Sequence, residues 1–474
     1  MNVDLRKFTS SCNPSKTIVV SNPADRQYYI DFSKVRGGKI IEELKNDIIY
    51  FCAGEPTCGL FTGHIGCGKT TELLRLKAEL EDVGFHVVYF ESTQDLEIDD
   101  VDISDIMLAI ARRVSESLEG LENLELPEPK GLRRILKGAA KLLMTEVSVD
   151  AELSLLGMGE VSVSSEGSVS AKAPGIGEVK ANKQQGLTVV APGIGKITAK
   201  AKDSPDVRSK LREYLEPQTK SILEFINQEL LEPAKQQLKQ LGKSGLVVIV
   251  DNLDRVETGR KSWGRPQAEY LFIDRGEQLR QLQCHVVYTM PLSLRFSDDF
   301  GRLIDRFPVH PKVLPMVPVV QRDGTISTEG MYLMQKMVLT RAFPNEQPEP
   351  TPELIALLFD KQETLEQLCL VSGGHARELL RLLCEWIKKD RKLPLSGETL
   401  KTLIVSRCNE LNLGITDEEW ELLRQVSKRK QVKGDKNYRK LIHSRLVYEY
   451  CDQQGFWFDI NPILAQAPEL RNAE

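Results

Sequence analysis

Apolar residues along this chain gather in a few short continuous runs, each followed by a longer stretch with helical spacing. The runs are Gly59-Leu-Phe-Thr62, Phe85-His-Val-Val-Tyr-Phe90, Leu246-Val-Val-Ile-Val250 and Cys284-His-Val-Val-Tyr-Thr289. Continuous rather than alternating apolar character marks strands buried on both faces, as in a parallel sheet covered by helices. A fifth run, Phe307-Pro-Val-His-Pro-Lys-Val-Leu-Pro315, is broken by prolines and suits an edge strand. Five such strands separated by helices predict an α/β fold with a doubly wound parallel sheet.

Two regions break the pattern. Residues 146–203 lack aromatics, alternate with period two over Val147–Leu155, and repeat Ala173-Pro-Gly-Ile-Gly as Ala191-Pro-Gly-Ile-Gly 18 residues later. The alternation predicts a duplicated β-hairpin arm inserted in the sheet domain. The alternative is a flexible segment, since without aromatics it buries too little to offset its ordering entropy. Near the C-terminus, Thr416-Asp-Glu-Glu opens a helix with a cap and an acidic first turn, and a second helix covers Tyr438–Arg445. Then Leu446-Val-Tyr-Glu-Tyr450 and Phe456-Trp-Phe-Asp-Ile460 flank a polar turn, which reads as a hairpin. Helices followed by a hairpin predict a winged-helix-like domain.

At 474 residues the chain is too long for one core. The predicted divisions are an N-terminal segment (1–50), sheet-domain parts 51–145 and 204–320 around the insertion 146–203, a helical lid (321–399) and the winged-helix-like domain (400–474). A net charge of −5 gives no global attraction to nucleic acid. Between Arg424 and Arg445, however, nine basic residues stand against the single acid Asp435. Arg429, Lys430, Lys433, Lys436, Arg439 and Lys440 are therefore candidates to grip duplex DNA phosphates, or else a solvated face on a protein-binding module. Nine cysteines without a C-x-x-C pair argue for a reducing, cytoplasmic setting and against a zinc site. No signal peptide or membrane-length apolar run is expected.

The chemistry is concentrated in Leu60-Phe-Thr-Gly63-His64-Ile65-Gly66-Cys67-Gly68-Lys69-Thr70-Thr71. Gly63, four residues, then Gly68-Lys69-Thr70 is a phosphate-binding loop, and it stands between a strand and a helix start, where its backbone N–H groups can meet phosphate. Lys69 supplies charge to the β- and γ-phosphates, and the Thr70 hydroxyl is placed to ligate Mg²⁺. Cys67 is either a redox switch or simply a small residue the loop tolerates. Asp251, at the end of the third apolar run, is the candidate outer-shell Mg²⁺ carboxylate, at the strand end where α/β sheets bind ligands. Asp254 is the candidate water-orienting base, with a turn or cap acid as the alternative. Thr289 could place a hydroxyl near the γ-phosphate, or merely end its strand.

In this order of parts the chain resembles the AAA+ ATPases, in their initiator-like and STAND-like branches. The run Ser372-Gly-Gly-His-Ala-Arg377 is similar to the start of their sensor-2 helix, which implies that Arg377 contacts the γ-phosphate. Asn252 stands where these proteins usually carry Glu, and Asp251-x-x-Asp254 is closer to KAP and NACHT NTPases. The resemblance further implies an arginine finger at Arg302 or Arg306, with solvated ion pairs as the alternative, and base contacts from Tyr29 and Arg36. The expected function is Mg²⁺-dependent ATP binding and hydrolysis that moves the lid and the C-terminal domain, with DNA as a target. The alternative is a slow nucleotide-gated STAND-type switch that acts on protein partners or on further copies of the chain.

Overall fold

A computed structural model describes residues 3–51, 55–121, 126–144, 190–261, 263–307, 309–344, 346–433 and 436–471. Five parallel strands form the central sheet: β1 (Cys58–Gly63), β2 (His86–Glu91), β3 (Leu246–Asp251), β4 (His285–Thr289) and β5 (Lys312–Leu314). Their order across the sheet is β2-β3-β4-β1-β5, so the proline-rich run does supply an edge strand. Glu91 pairs with Asp251 and Phe61 with Thr289. The register therefore brings the carboxyl ends of β1 to β4 to one rim.

Both faces of the sheet are buried, as the continuous apolar runs require. Leu60, Val88, Val248, Val286 and Tyr288 face one hydrophobic cluster, and Phe61, Val87, Val247, Ile249 and Val287 face the other. The first face is covered chiefly by the helix Ile103–Glu119, whose Ile103, Ile106, Met107, Ile110, Val114 and Leu118 recur at helical spacing and are buried. Asp102 and Asp105 close its first turn as a capping box. The second face is covered by the helices Ile40–Asn46 and Lys69–Asp82.

Most of the proposed hairpin arm lies outside the described residues. Its last part differs from the expected alternation, because Val190–Asp203 is a helix. It buries Ala191, Ile194 and Ile197, three residues apart, into the first cluster. Pro192 is tolerated because it stands in the first turn.

The helices Thr328–Ala342, Pro352–Leu358, Gln362–Ser372 and Ala376–Asp390 form the lid. Then come the helices Gly397–Asn412, Asp417–Arg429 and Lys436–His443, and a hairpin of β6 (Val447–Asp452) and β7 (Gly455–Ile460). The boundary expected at residue 400 falls inside the first of these helices. Lid and C-terminal unit share one hydrophobic cluster that includes Trp386, Leu403, Trp420, Leu441 and Val447. Among the described residues, no helix is long and apolar enough to cross a membrane.

Candidate functional site

The loop after β1 is held open by glycine and gripped from outside. Gly66 has φ +92, and a Cβ there would lie 2.6 Å from the His375 ring. Only glycine allows both that conformation and that close approach. The loop carbonyls point outward to partners from other elements. His375 Nε2 lies 3.0 Å from the Ile65 carbonyl. Arg36 donates to the Cys67 carbonyl at 2.8 Å. The Arg377 backbone N–H approaches the Gly66 carbonyl at 3.4 Å.

Lys69 begins the helix after the loop, is buried, and donates to the carbonyls of Gly63 at 2.8 Å and His64 at 3.1 Å. Its ammonium also pairs with Asp254 Oδ2 at 3.0 Å. Burial alone would lower the lysine pKa, but Asp254, Cys67 and Asp251 outweigh it and hold the value above normal. The amine therefore stays charged at the mouth of the loop. Asp254 is no helix cap: it lies inside the short 3₁₀ turn Leu253–Thr258, and its Oδ1 is buried without a hydrogen-bond partner.

Asp251 accepts from Tyr89 Oη at 2.9 Å, from the Asn252 N–H at 2.7 Å and from the Thr70 hydroxyl. Burial, then the nearby Asp254, push its pKa up. Two buried carboxylates and a hydroxyl are hard oxygen donors, and one of them carries an unused lone pair. Such a set fits Mg²⁺, which takes one or two carboxylates and fills its remaining positions with water and phosphate.

A cleft of about 140 Å³ opens beside the loop. Residues 65–71, Asp254, Arg255 and Arg377 line it, together with Ile18, Tyr28, Phe32, Met337 and Leu380. Arg377 thus reaches the site, and burial, then Arg255 and Arg445, depress its pKa. Gly63, His64 and Ile65 border a second, smaller gap, again with Asp254.

Other candidates are placed differently. The Thr289 hydroxyl accepts from the Leu253 N–H at 2.9 Å and does not line the cleft, so it pins the β3 turn. Arg302 is 54% exposed and pairs with Asp299 at 3.1 Å, and the Arg306 carbonyl caps Arg280. Tyr29 Oη is engaged by Arg75 at 2.9 Å and Glu72 at 3.3 Å, although its residue borders the cleft. Arg36 holds the loop backbone. Cys67 is 1% exposed, with its thiol against the Leu314 carbonyl, which leaves an oxidant little access.

Among the described side chains, which exclude that of Lys436, the basic C-terminal residues do not form one free face. Lys430 pairs with Asp459, Lys440 with Glu419, and Arg439 with Glu269 of the sheet domain. Arg429 and Lys433 are exposed.

Motif reading missed three features. Tyr89 and Glu91, on β2, hold Asp251 and Asn252, the latter through a 2.9 Å bond from Asn252 Nδ2 to Glu91. Their position at the end of a strand beside β3 was the available clue. The grip of Arg36 had no such clue. Neither did the bond from the Glu449 N–H to His64 Nε2, at 3.0 Å, which links residues 385 positions apart.

The parallel sheet, the loop after β1 and the lid that closes on it define a P-loop α/β nucleotide-binding fold. No protein-family model matches the sequence, and no curated protein does. Among solved structures, the chain is similar to the Aeropyrum pernix ORC2 protein in its ADPNP–ADP complexes, at 12% identity over 91% of this chain and 92% of that one, with a TM-score of 0.35. It is similar to the Aeropyrum pernix ORC1 protein in complex with DNA, at 11% identity over 91% and 93%, TM-score 0.34. A Walker-type ATPase of Pyrococcus abyssi matches at 12% identity over 91% and 95%, TM-score 0.35.

Proposed function

We propose that this chain is a Mg²⁺-dependent ATPase of the AAA+ kind, in which nucleotide state sets the position of the lid and the C-terminal unit. The observation that carries this reading is the buried Lys69 ammonium, held charged between the Gly63 and His64 carbonyls and Asp254. Asp254 answers that ammonium, but the neighbouring Arg377, depressed by burial and by Arg255 and Arg445, has no such partner among the described residues, and a polyphosphate would supply the counter-charge. Thr70 and Asp251 would hold Mg²⁺, which when bound spreads the phosphate charge. Asp254, released from Lys69 by the incoming phosphate, would orient the attacking water through its free Oδ1. Arg377 would bind the terminal phosphate from the lid with a guanidinium fork. Catalysis would then be positional and electrostatic, as phosphoryl transfer requires.

Lys69→Ala should abolish tight ATP binding in a direct titration, and an unchanged affinity would remove the phosphate-loop assignment. Asp254→Asn should bind ATP and lose turnover by about 10²-fold or more, the usual scale for a positioned base. Wild-type turnover in that variant would place the base elsewhere.

A further inference from the structure

The C-terminal unit is built onto the phosphate loop itself. Besides the Glu449–His64 bond, the Tyr448 ring meets His64 edge-on with centroids 5.8 Å apart and lies 5.6 Å from His375. Tyr450 Oη donates to the Gly373 carbonyl at 2.8 Å, and the Glu449 carbonyl accepts from the Met316 N–H at 2.9 Å. These bonds fix β6 against the loop, the lid and the segment just after β5 together. Arg445, two residues before β6, consequently borders the narrow gap formed by Gly63, His64, Ile65 and Asp254.

Its charge is not answered there. Among the described residues, no carboxylate lies within ion-pair distance of Arg445, and Asp254 is taken up by Lys69. Arg377 and Lys69 are further cations at the same loop. Arg445 is a half-buried residue beside other cations, without a counter-ion among the described residues. A multiply charged anion on the loop would supply that counter-charge.

We propose that Arg445 is a phosphate-contacting residue supplied in cis by the C-terminal unit, reaching the terminal phosphate of a bound nucleoside triphosphate from the Gly63–Ile65 side while Arg377 reaches it from the lid. This rests on the phosphate-loop reading above. It gives that reading a physical link: the unit that carries Arg445 is drawn onto the loop by the charge of the third phosphate.

The backbone offers a clean test. Arg445 has φ +60 and ends the helix Lys436–His443, where the Leu446 N–H closes on the Leu441 carbonyl at 2.9 Å. Glycine is the usual residue at such a helix stop, so Arg445→Gly removes the side chain while relaxing the turn, and Arg445→Asn also tolerates it. The full-length wild type and both variants would be titrated calorimetrically with a non-hydrolysable ATP analogue and with ADP, each with Mg²⁺. Loss of a charge-assisted contact predicts triphosphate affinity about tenfold or more lower, with ADP affinity within about twofold of wild type. Unchanged affinity for both nucleotides, or an equal loss for both, overturns the proposal. Failure of the wild type to bind either nucleotide would instead remove the phosphate-loop reading, and the proposal with it.

Discussion

Lys69, Asp254 and Arg377 lie 185 and 123 positions apart in sequence, yet they meet at one loop because the strand ends and the lid converge there. What sequence could show at this scale was set by contiguity. Residues 63–71 carry their chemistry in one run and were legible. Asp251 and Asp254 were legible through the strand before them. Glu449 was not, since it reaches the loop from a separate element and its type alone is unremarkable, and Arg36, expected at the base, grips the loop backbone instead. Thr289 shows the converse: a hydroxyl on the right strand can be spent on a backbone N–H.

A pH dependence belongs to this scale. His375 caps the helix Ala376–Asp390, with Nδ1 accepting from the Glu378 N–H at 3.0 Å, so its ring proton sits on Nε2 toward Ile65. Burial drives its pKa down to about 4, with Arg445 and Arg377 adding to the shift and Glu378 and the Ile65 carbonyl opposing it. The unfolded chain takes up that proton near 6.5, the folded chain only near 4. Stability is then complete above about pH 6.5 and falls as pH drops toward 4, by on the order of 3 kcal/mol. His64 is shifted the same way by burial, then by His375, Lys69, Arg445 and Arg295, while the buried Glu449 is raised and works against the trend. His375→Asn keeps a capping acceptor and removes the titration. Denaturant midpoints measured at several pH values should fall less steeply for this variant, and identical slopes would assign the effect to other groups.

At the scale of elements, the strands were readable because parallel strands buried on both faces need continuous apolar runs, and here they coincide with them. Val190–Asp203 was not readable, because Lys196-Ile-Thr-Ala-Lys alternates as a strand would. The fold instead uses Ala191, Ile194 and Ile197 as a helical stripe, with Gly195 close enough to Arg112 that a Cβ would lie 3.2 Å from its guanidinium carbon. Packing against the helix Ile103–Glu119 overrides local propensity, as tertiary context commonly does. That helix joins the inserted helices to the sheet, so its core positions should be expensive to truncate. Ile110, fully buried in the first cluster, should lose about 2–5 kcal/mol on mutation to alanine. Denaturant unfolding would report it. A loss below about 1 kcal/mol, the usual range of a surface change, would mean that this helix does not tie the two parts together.

For the molecule as a whole, the open question is what the C-terminal unit acts on, and the ion pairs narrow the test. Lys430 and Lys440 are paired within the unit, and Arg439 reaches across to Glu269, so reversing the charge of Arg439 would loosen the unit from the sheet domain rather than report a lost DNA contact. The informative positions are Arg429 and Lys433, which are exposed. If this face binds duplex DNA, each residue that neutralises a phosphate contributes about −0.9 to the slope of log affinity against log salt. Alanine at Arg429 and at Lys433 should each shrink the magnitude of that slope by about 1 and weaken binding evenly across sequences. Adding ATP should change the affinity as well, because the Glu449 N–H bond to His64 ties this unit to the loop after β1. A wild-type protein whose duplex affinity is negligible at low salt, or unmoved by both substitutions, would rule out this face as a DNA contact. Under the proposed function, a nucleotide-gated movement of the unit would then have to be read by a protein surface, and ATP-dependent assembly, followed by light scattering, becomes the decisive measurement.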